Sequence, residues 1–411
     1  MKIIIAGGGI GGLTAALLLH KSGIEVKVFE SVKTLRPLGV GINLLPHAVS
    51  VLNELGLIPA LSEIAVSSKA LVYYNKFGQK YWEEPRGVYA GYAVPQFSIH
   101  RGRFQQLLFE QAKAIIGEEN IFTNHHLQSF SETTGKVVAR FVDHATGELV
   151  HEETADALIG ADGIHSAVRK HFYPSEGEPK FKGITLWRAV SEAPPGLLNS
   201  SMVMIGNTQQ KFVAYPIREE ENSCTINWIA EIKNENNTTP PKRDWNKKVE
   251  KEVFFPAFAS WKFDWLDVPA LIGAATEVFE FPMIDRDPLP RWTFGRTTLL
   301  GDAAHPMYPI GSNGASQALL DAKALASVMS TATDAKEALR AYERQRLEAT
   351  SRIVLLNREN GPDKIMEMME DRAPDGFKNI DDVISHKELE AIANHYKKVA
   401  GFDKASLTDS Q

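Results

Sequence analysis

Lys2-Ile3-Ile4-Ile5-Ala6-Gly7-Gly8-Gly9-Ile10-Gly11-Gly12-Leu13, continuing through Leu19-His20 to Glu25-Val26-Lys27-Val28-Phe29-Glu30, decides the fold. The run Lys2 to Ala6 is apolar, β-branched and stopped by glycine, which predicts a strand. Leu13 to His20 predicts a helix ending near Gly23, and Glu25 to Glu30 alternates as a second strand. A strand, a helix and a strand in this order imply a parallel pair joined by a right-handed crossover.

The turn itself satisfies G-x-G-x-x-G. Gly7 permits the tight turn, Gly9 lets backbone approach a pyrophosphate, and Gly12 lets the helix pack close to the sheet, with Ile10 and Gly11 at the helix start. Free N–H groups at that helix start attract phosphate. Glu30 at the end of the second strand can accept both hydroxyls of an adenosine ribose and would repel a 2′-phosphate, so the expected dinucleotide is FAD or NAD. The same glycines would weaken an apolar leader helix, so Met1 to His20 is expected to be part of the fold, not a targeting signal.

Composition excludes several classes. The chain has 411 residues, 44% hydrophobic and 23% charged, which predicts a folded protein of more than one domain. The formal net charge is -6 with dispersed lysines and arginines, so nucleic acid is not an expected partner. No stretch has the length and apolarity of a spanning helix, and no membrane association is expected. Cys224 is the single cysteine, which rules out an internal disulfide or thiolate cluster and points to a reducing, cytoplasmic setting. No metal site is expected: His151-Glu152-Glu153 lacks a second histidine at Ala155, and His125 and His126 cannot share a helical face.

Further along, Pro46 to Leu55 and Arg101 to Ile115 have helical spacing, while Val137 to Val142 and Asp156 to Gly160 read as strands. Between about Phe181 and Phe281 short strands succeed one another, at Ser201 to Ile205, Lys211 to Ile217 and Cys224 to Ile232. Asn234 to Arg243 reads as a loop. A strand returns at Thr297 to Leu300, succeeded by one long helical stretch from about Asn313 to Asn360, and the tail after Phe402 is expected to fray.

Two later segments separate FAD from NAD. The first is Asp156-Ala157-Leu158-Ile159-Gly160-Ala161-Asp162-Gly163, running on to Ser166 and Arg169; the second is Gly301-Asp302-Ala303-Ala304-His305, with Pro309, Gly311 and Gly314 after it. With these in order after the glycine turn, the chain resembles the single-component FAD-dependent aromatic hydroxylases typified by para-hydroxybenzoate and salicylate hydroxylases. The resemblance covers nearly the whole chain. Arg36-Pro37-Leu38-Gly39-Val40-Gly41-Ile42-Asn43, Ser98 to Gly102, Gly183 to Arg188 and Met307-Tyr308-Pro309 further resemble the phenazine-modifying branch, which acts on 5-methylphenazine-1-carboxylate.

The resemblance implies an α/β fold: a Rossmann-like FAD-binding domain from 1–70, 98–178 and 285–360, a β-rich substrate domain from 71–97 and 179–284, and a C-terminal helical segment and tail at 361–411. It implies FAD held non-covalently, with Asp302 on the ribityl chain, Arg101 near the flavin or its diphosphate, and Asp162 and Arg169 supporting the pyrophosphate region. Gly314, Ala315 and Ser316 would open a helix toward the pyrimidine edge of the ring. Ser31, Gly41, Ile42 and Leu127 complete the expected cofactor contacts. His47, Phe104 and Ser316 depart from the family's usual asparagine, leucine and asparagine, and at Ser316 only the backbone contact is expected to survive.

For chemistry, the resemblance implies that NADH or NADPH reduces the flavin, that O2 forms a flavin C4a-hydroperoxide, and that a small aromatic or heteroaromatic ring is hydroxylated. The protein's part is to bind, orient and exclude water. The substrate wall is expected at Trp187, Arg188, Tyr215, Met307, Tyr308 and Pro309, with Tyr215 the candidate general base. A flavin dehydrogenase, or a flavin-binding sensor of redox state or aromatics, remains an alternative on the same scaffold. Oligomeric state is not legible.

Overall fold

The computed structural model describes residues 1–35, 40–234 and 247–405. Arg36 to Gly39, residues 235–246, where most of the loop expected at Asn234 to Arg243 falls, and residues 406–411 lie outside them.

Lys2–Ala6 forms the centre of a five-stranded parallel sheet, with Glu25–Phe29 and Ile121–Phe122 on one side and Ala157–Gly160 and Thr297–Leu299 on the other. Ile3, Ile4 and Ile5 are wholly buried because both sheet faces are covered, which explains their unbroken apolar run. The helix Ile10–Lys21 is apolar on nearly every side for the same reason: it is sandwiched between this sheet and the helix Gly314–Ser330. A small antiparallel sheet of His126–Thr133, Lys136–Val142 and Leu149–Ala155 packs beside it.

The second large element is a seven-stranded sheet in the order Phe279–Asp285, Lys180–Ala193, Cys224–Lys233, Gln210–Glu219, Met202–Gly206, Ala70–Tyr74 and Lys80–Pro85. Period-2 alternation sorts its side chains. Phe212 and Ala214 join Trp228, Phe254 and Phe258 in an outer core, while Val213 and Tyr215 face the opposite side with Met204 and Tyr73. The Rossmann-like parallel core and this additional sheet make up the α/β architecture expected from the sequence.

The long helical stretch expected at Asn313 to Asn360 is two helices, Gly314–Ser330 and Ala335–Arg358. They separate at residues 331–334, where the Asp334 carboxylate accepts from Lys336 N at 3.2 Å and starts the second helix. Beyond them Lys364–Arg372 and His386–Ala400 lay Ile365, Met369, Leu389 and Ala393 on the Tyr73 side of the large sheet.

Tyr396 pins this last helix. Its hydroxyl accepts from Asn313 Nδ2 at 2.8 Å and lies 3.1 Å from Asn357 Oδ1, in a fully enclosed setting. Gly311, at φ 72°, brings the chain so close that an added Cβ would lie 2.0 Å from the Tyr396 hydroxyl. Replacing Tyr396 by Phe strands the Asn313 donor and is expected to cost about 1–3 kcal/mol, read as a lowered urea midpoint with an unchanged slope.

Candidate active site

Between the parallel sheet, the seven-stranded sheet and the C-terminal helices lies a cavity of about 370 Å³. Gly9, Ile10, Gly11, Asp302, Gly314 and Ala315 line it on the side of the parallel sheet. Arg188, Met204, Val213 and Tyr215 line it from the large sheet, while Tyr396 and Lys397 on the last helix and Phe402 just past its end close it from a third side.

The glycine turn is built as its spacing requires. Gly7 has φ 114°, and a Cβ there would stand 2.3 Å from Ala161 O; one on Gly12 would stand 2.1 Å from Gly7 O. A Cβ on Gly9 would meet no protein atom within 4 Å, since that residue opens onto the cavity. No side chain caps the helix Ile10–Lys21, leaving its first N–H groups free for an anion. Glu30 accepts from Gly8 N at 2.7 Å and from Val32 N at 2.9 Å, which fixes its carboxylate beside the turn, and Ser31 Oγ lies 3.1 Å from His126 Nδ1. A dinucleotide pyrophosphate fits this cradle.

The second and third sequence segments meet at the same place. Asp162 Oδ2 accepts from Ala167 N at 2.7 Å, while its Oδ1 is buried without a partner. Burial raises the Asp162 carboxyl above its usual range, opposed by the Ser166 hydroxyl and backbone N–H groups. Arg169 is 1% exposed and donates to the carbonyls of Ala303 and Ala304 at 3.2 and 2.9 Å, to Asp287 O at 3.0 Å and to Glu176. It therefore joins the two segments by their backbones and stands outside the cavity. Asp302 is open to the cavity but walled by protein elsewhere; that enclosure raises its carboxyl, with His305 and Arg101 pulling the other way. Arg101 begins the helix Arg101–Ile116, whose N-terminus is capped by the His100 ring accepting from Gly102 N at 3.2 Å.

Gly314 and Ala315 present the start of the helix Gly314–Ser330 to the cavity, again without a side-chain cap. Ser316 is fully buried, and its Oγ accepts from Leu45 N at 3.3 Å, so its hydroxyl is engaged by protein. Gly41 starts the short strand Gly41–Leu44, which lies against the large sheet: its N donates to Asn227 Oδ1 at 2.6 Å, and its O accepts from Arg188 at 2.7 Å. A Cβ on Gly41 would sit 2.8 Å from Tyr215 Cε2. Ile42 lines the cavity beside it.

Of the expected substrate wall, Arg188, Tyr215, Met307 and Pro309 line the cavity, and Trp187 and Tyr308 do not. Trp187 points to the outer core, stacked on Phe254 with ring centroids 4.9 Å apart and donating to Glu280 at 3.2 Å. Tyr308 packs with Ile184, Leu186 and Met283 beneath Lys182. Leu127 is a buried core residue paired with Phe141. Burial pushes the Tyr215 phenol up to about 12, with Arg188 opposing, so it keeps its proton at neutral pH and serves as a hydrogen-bonding group.

Sequence reasoning missed two buried charge clusters on this cavity. Lys211 lies 2.9 Å from Glu231 and 2.5 Å from Asp363; Glu84 pairs with Arg86 at 3.0 Å and with Lys397. A signal existed for Lys211 and Glu231, which share a strand face with Val213 and with Ile229 at period 2. It missed, too, the wholly buried Asp321, which accepts from His305 Nε2 at 2.5 Å, Arg346 Nε at 2.8 Å and Gly301 N at 3.1 Å.

The family model described as FAD binding domain matches residues 1–356. The chain belongs to that family. A phenazine 1,6-dicarboxylic acid hydroxylase, PhzS, of Lysobacter antibioticus is 41% identical over 87% of this chain and 89% of its own length. A 6-hydroxynicotinate 3-monooxygenase of Bordetella bronchiseptica is 29% identical over 87% and 91%. The fold is that of a salicylate hydroxylase solved as a substrate complex, with a TM-score of 0.74 at 23% identity over 97% of this chain and 98% of that one. The protein is thus an FAD-dependent monooxygenase of the aromatic-hydroxylase kind, with FAD as its cofactor. Among the described residues no helix is long and apolar enough to cross a membrane.

Proposed function

We propose that this flavoenzyme uses NADH or NADPH and O2 to hydroxylate a small fused heteroaromatic ring of the phenazine type, in a cytoplasmic setting. One observation carries the reading: a single cavity has the uncapped glycine turn on one side and Arg188, Tyr215 and Met204 on another, so a flavin and an aromatic ring share one enclosure. The likeness to the phenazine hydroxylase supports the ring class.

Bound FAD would supply the redox and oxygen-transfer chemistry. The chain's own groups do the rest. The helix starts at Ile10 and Gly314 offer N–H groups to the pyrophosphate and to the electron-rich edge of the ring, and Asp302 and Arg101 flank the segment between them. Asp162 and Arg169 hold the surrounding backbone. Glu30 and Ser31 serve the ribose end. Protonated Tyr215, held between Arg188 and Asn227, donates to or accepts from a ring substituent, and the apolar wall keeps bulk water from the reacting atoms.

The test is a panel of phenazines, hydroxybenzoates and quinolones scored for faster NADH or NADPH oxidation, with products made under ¹⁸O2 analysed by mass spectrometry. A phenazine is expected to accelerate oxidation and to gain one ¹⁸O atom. Acceleration that yields only hydrogen peroxide marks a compound as a non-substrate effector, and oxidation of NADH or NADPH with no uptake of O2 for any compound would leave the flavin dehydrogenase reading in its place.

A further inference from the structure

The cavity reaches well beyond the groups a flavin would touch, and its far wall is made by residues that lie past the family domain at 1–356. Asp363, Tyr396 and Lys397 all line it from that segment. Apart from the flavin-side groups, two buried charge clusters face this space: in one a cation touches two carboxylates, in the other two cations touch one carboxylate.

Lys211 is 7% exposed and lies between Glu231 and Asp363, so its charge is already met by two carboxylates. Asp363 Oδ1 has no partner. An anion placed beside Lys211 meets two carboxylates that already engage its ammonium group. In the other cluster Glu84, on the strand Lys80–Pro85, lies between Arg86 and Lys397, so two cations share one carboxylate. The Arg86 side chain is 11% exposed, its guanidinium donates to Glu84 Oε2 at 3.0 Å, and its Nε is buried with no acceptor. A buried guanidinium N–H left without an acceptor is costly, and native proteins retain such groups where a ligand completes them.

We propose that Arg86 and Lys397 form an anion clamp that seats a carboxylate substituent of the aromatic substrate, so that the C-terminal helix His386–Ala400 sets substrate choice. This rests on the aromatic-hydroxylase reading above and deepens it. A carboxylate here gives the two cations a second counter-charge and offers the missing acceptor to Arg86 Nε in a bidentate or bridging geometry. Apolar walls at Leu71, Met202, Met204 and Ile365 then hold the ring. Both residues are positioning residues and take no part in oxygen transfer.

The experiment uses the FAD-loaded full chain and a matched pair of probes, phenazine-1-carboxylate and its neutral carboxamide, titrated by the change in flavin absorbance. The wild type is expected to bind the carboxylate at least tenfold more tightly. That preference should fall to within about twofold in both Arg86→Met and Lys397→Met, while affinity for the carboxamide moves less than about threefold. Where Arg86→Met fails to fold, Lys397→Met decides alone. A wild type with no preference, one that binds neither probe, or a preference that survives Lys397→Met overturns the clamp. Failure of the broader reading is separate: both probes bind with the expected ratio, yet neither accelerates NADH or NADPH oxidation.

Discussion

Gly12→Ala is expected to yield a colourless protein. Its Cβ would lie 2.1 Å from the Gly7 carbonyl and 3.3 Å from Ala161 Cβ, both fixed by the parallel sheet. Neither neighbour is the free end of a flexible side chain, so relief requires the helix Ile10–Lys21 to move away from the strand Lys2–Ala6. Overpacking of this kind costs roughly 1–3 kcal/mol. The cost falls on the cradle, because the free N–H groups of Ile10 and Gly11 move with the helix and no longer converge on one pyrophosphate. The ratio of absorbance at 450 nm to 280 nm in purified protein, before and after added FAD, measures the effect. A variant that purifies yellow with undiminished FAD affinity contradicts the account. Gly9→Ala is the control, since its Cβ meets no protein atom: it should fold normally and lose FAD by encroaching on the phosphates alone.

Asp321→Asn carries the second large effect, on stability. Asp321 is wholly buried on the helix Gly314–Ser330 and accepts from His305, Arg346 and Gly301 N. Burial on its own would raise its carboxyl, but the charges of His305 and Arg346 and their hydrogen bonds outweigh it, and the group is held at about 2. The folded value lies below the ordinary 3.8, so the contribution to stability is complete above about pH 4 and is lost as pH falls toward 2. Neutralising the residue leaves the Arg346 guanidinium without its buried counter-charge, which is expected to cost about 3–5 kcal/mol at pH 7. The acid-unfolding midpoint should rise accordingly. Urea unfolding at pH 7 and a pH titration of tryptophan fluorescence test both statements. Equal midpoints for the two proteins would show that Arg346 finds another partner.

Whether a feature was legible in the sequence depended on the range of its signal. The glycine turn was legible because each glycine answers to a local constraint: the positive φ at Gly7, open space at Gly9 and tight packing at Gly12. Asp302 and Gly314 were legible through the family resemblance of the segment that leads from the strand Thr297–Leu299 to the helix Gly314–Ser330. Trp187 and Arg188 show the limit. They are adjacent on one strand and must face opposite ways, and which one faces the cavity depends on where the aromatic helix Phe255–Phe258 and its neighbour Phe254 pack, some seventy residues on. The Glu84–Arg86–Lys397 cluster was out of reach altogether. Lys397 stands more than three hundred residues along the chain from the other two and becomes their neighbour only when the last helix docks.

The strand order of the parallel sheet also governs how the chain is made. Strands drawn from residues 2–6, 25–29, 121–122, 157–160 and 297–299 must all have left the ribosome before the sheet closes. Gly314 emerges later still. At translation speeds of about 5–20 residues per second, the nascent glycine turn waits roughly 15–60 s for the segments that complete its pocket. Over the first part of that interval one edge of the strand carrying Ile3, Ile4 and Ile5 lacks its partner Ala157–Gly160, so cofactor loading is a late event in the making of the chain.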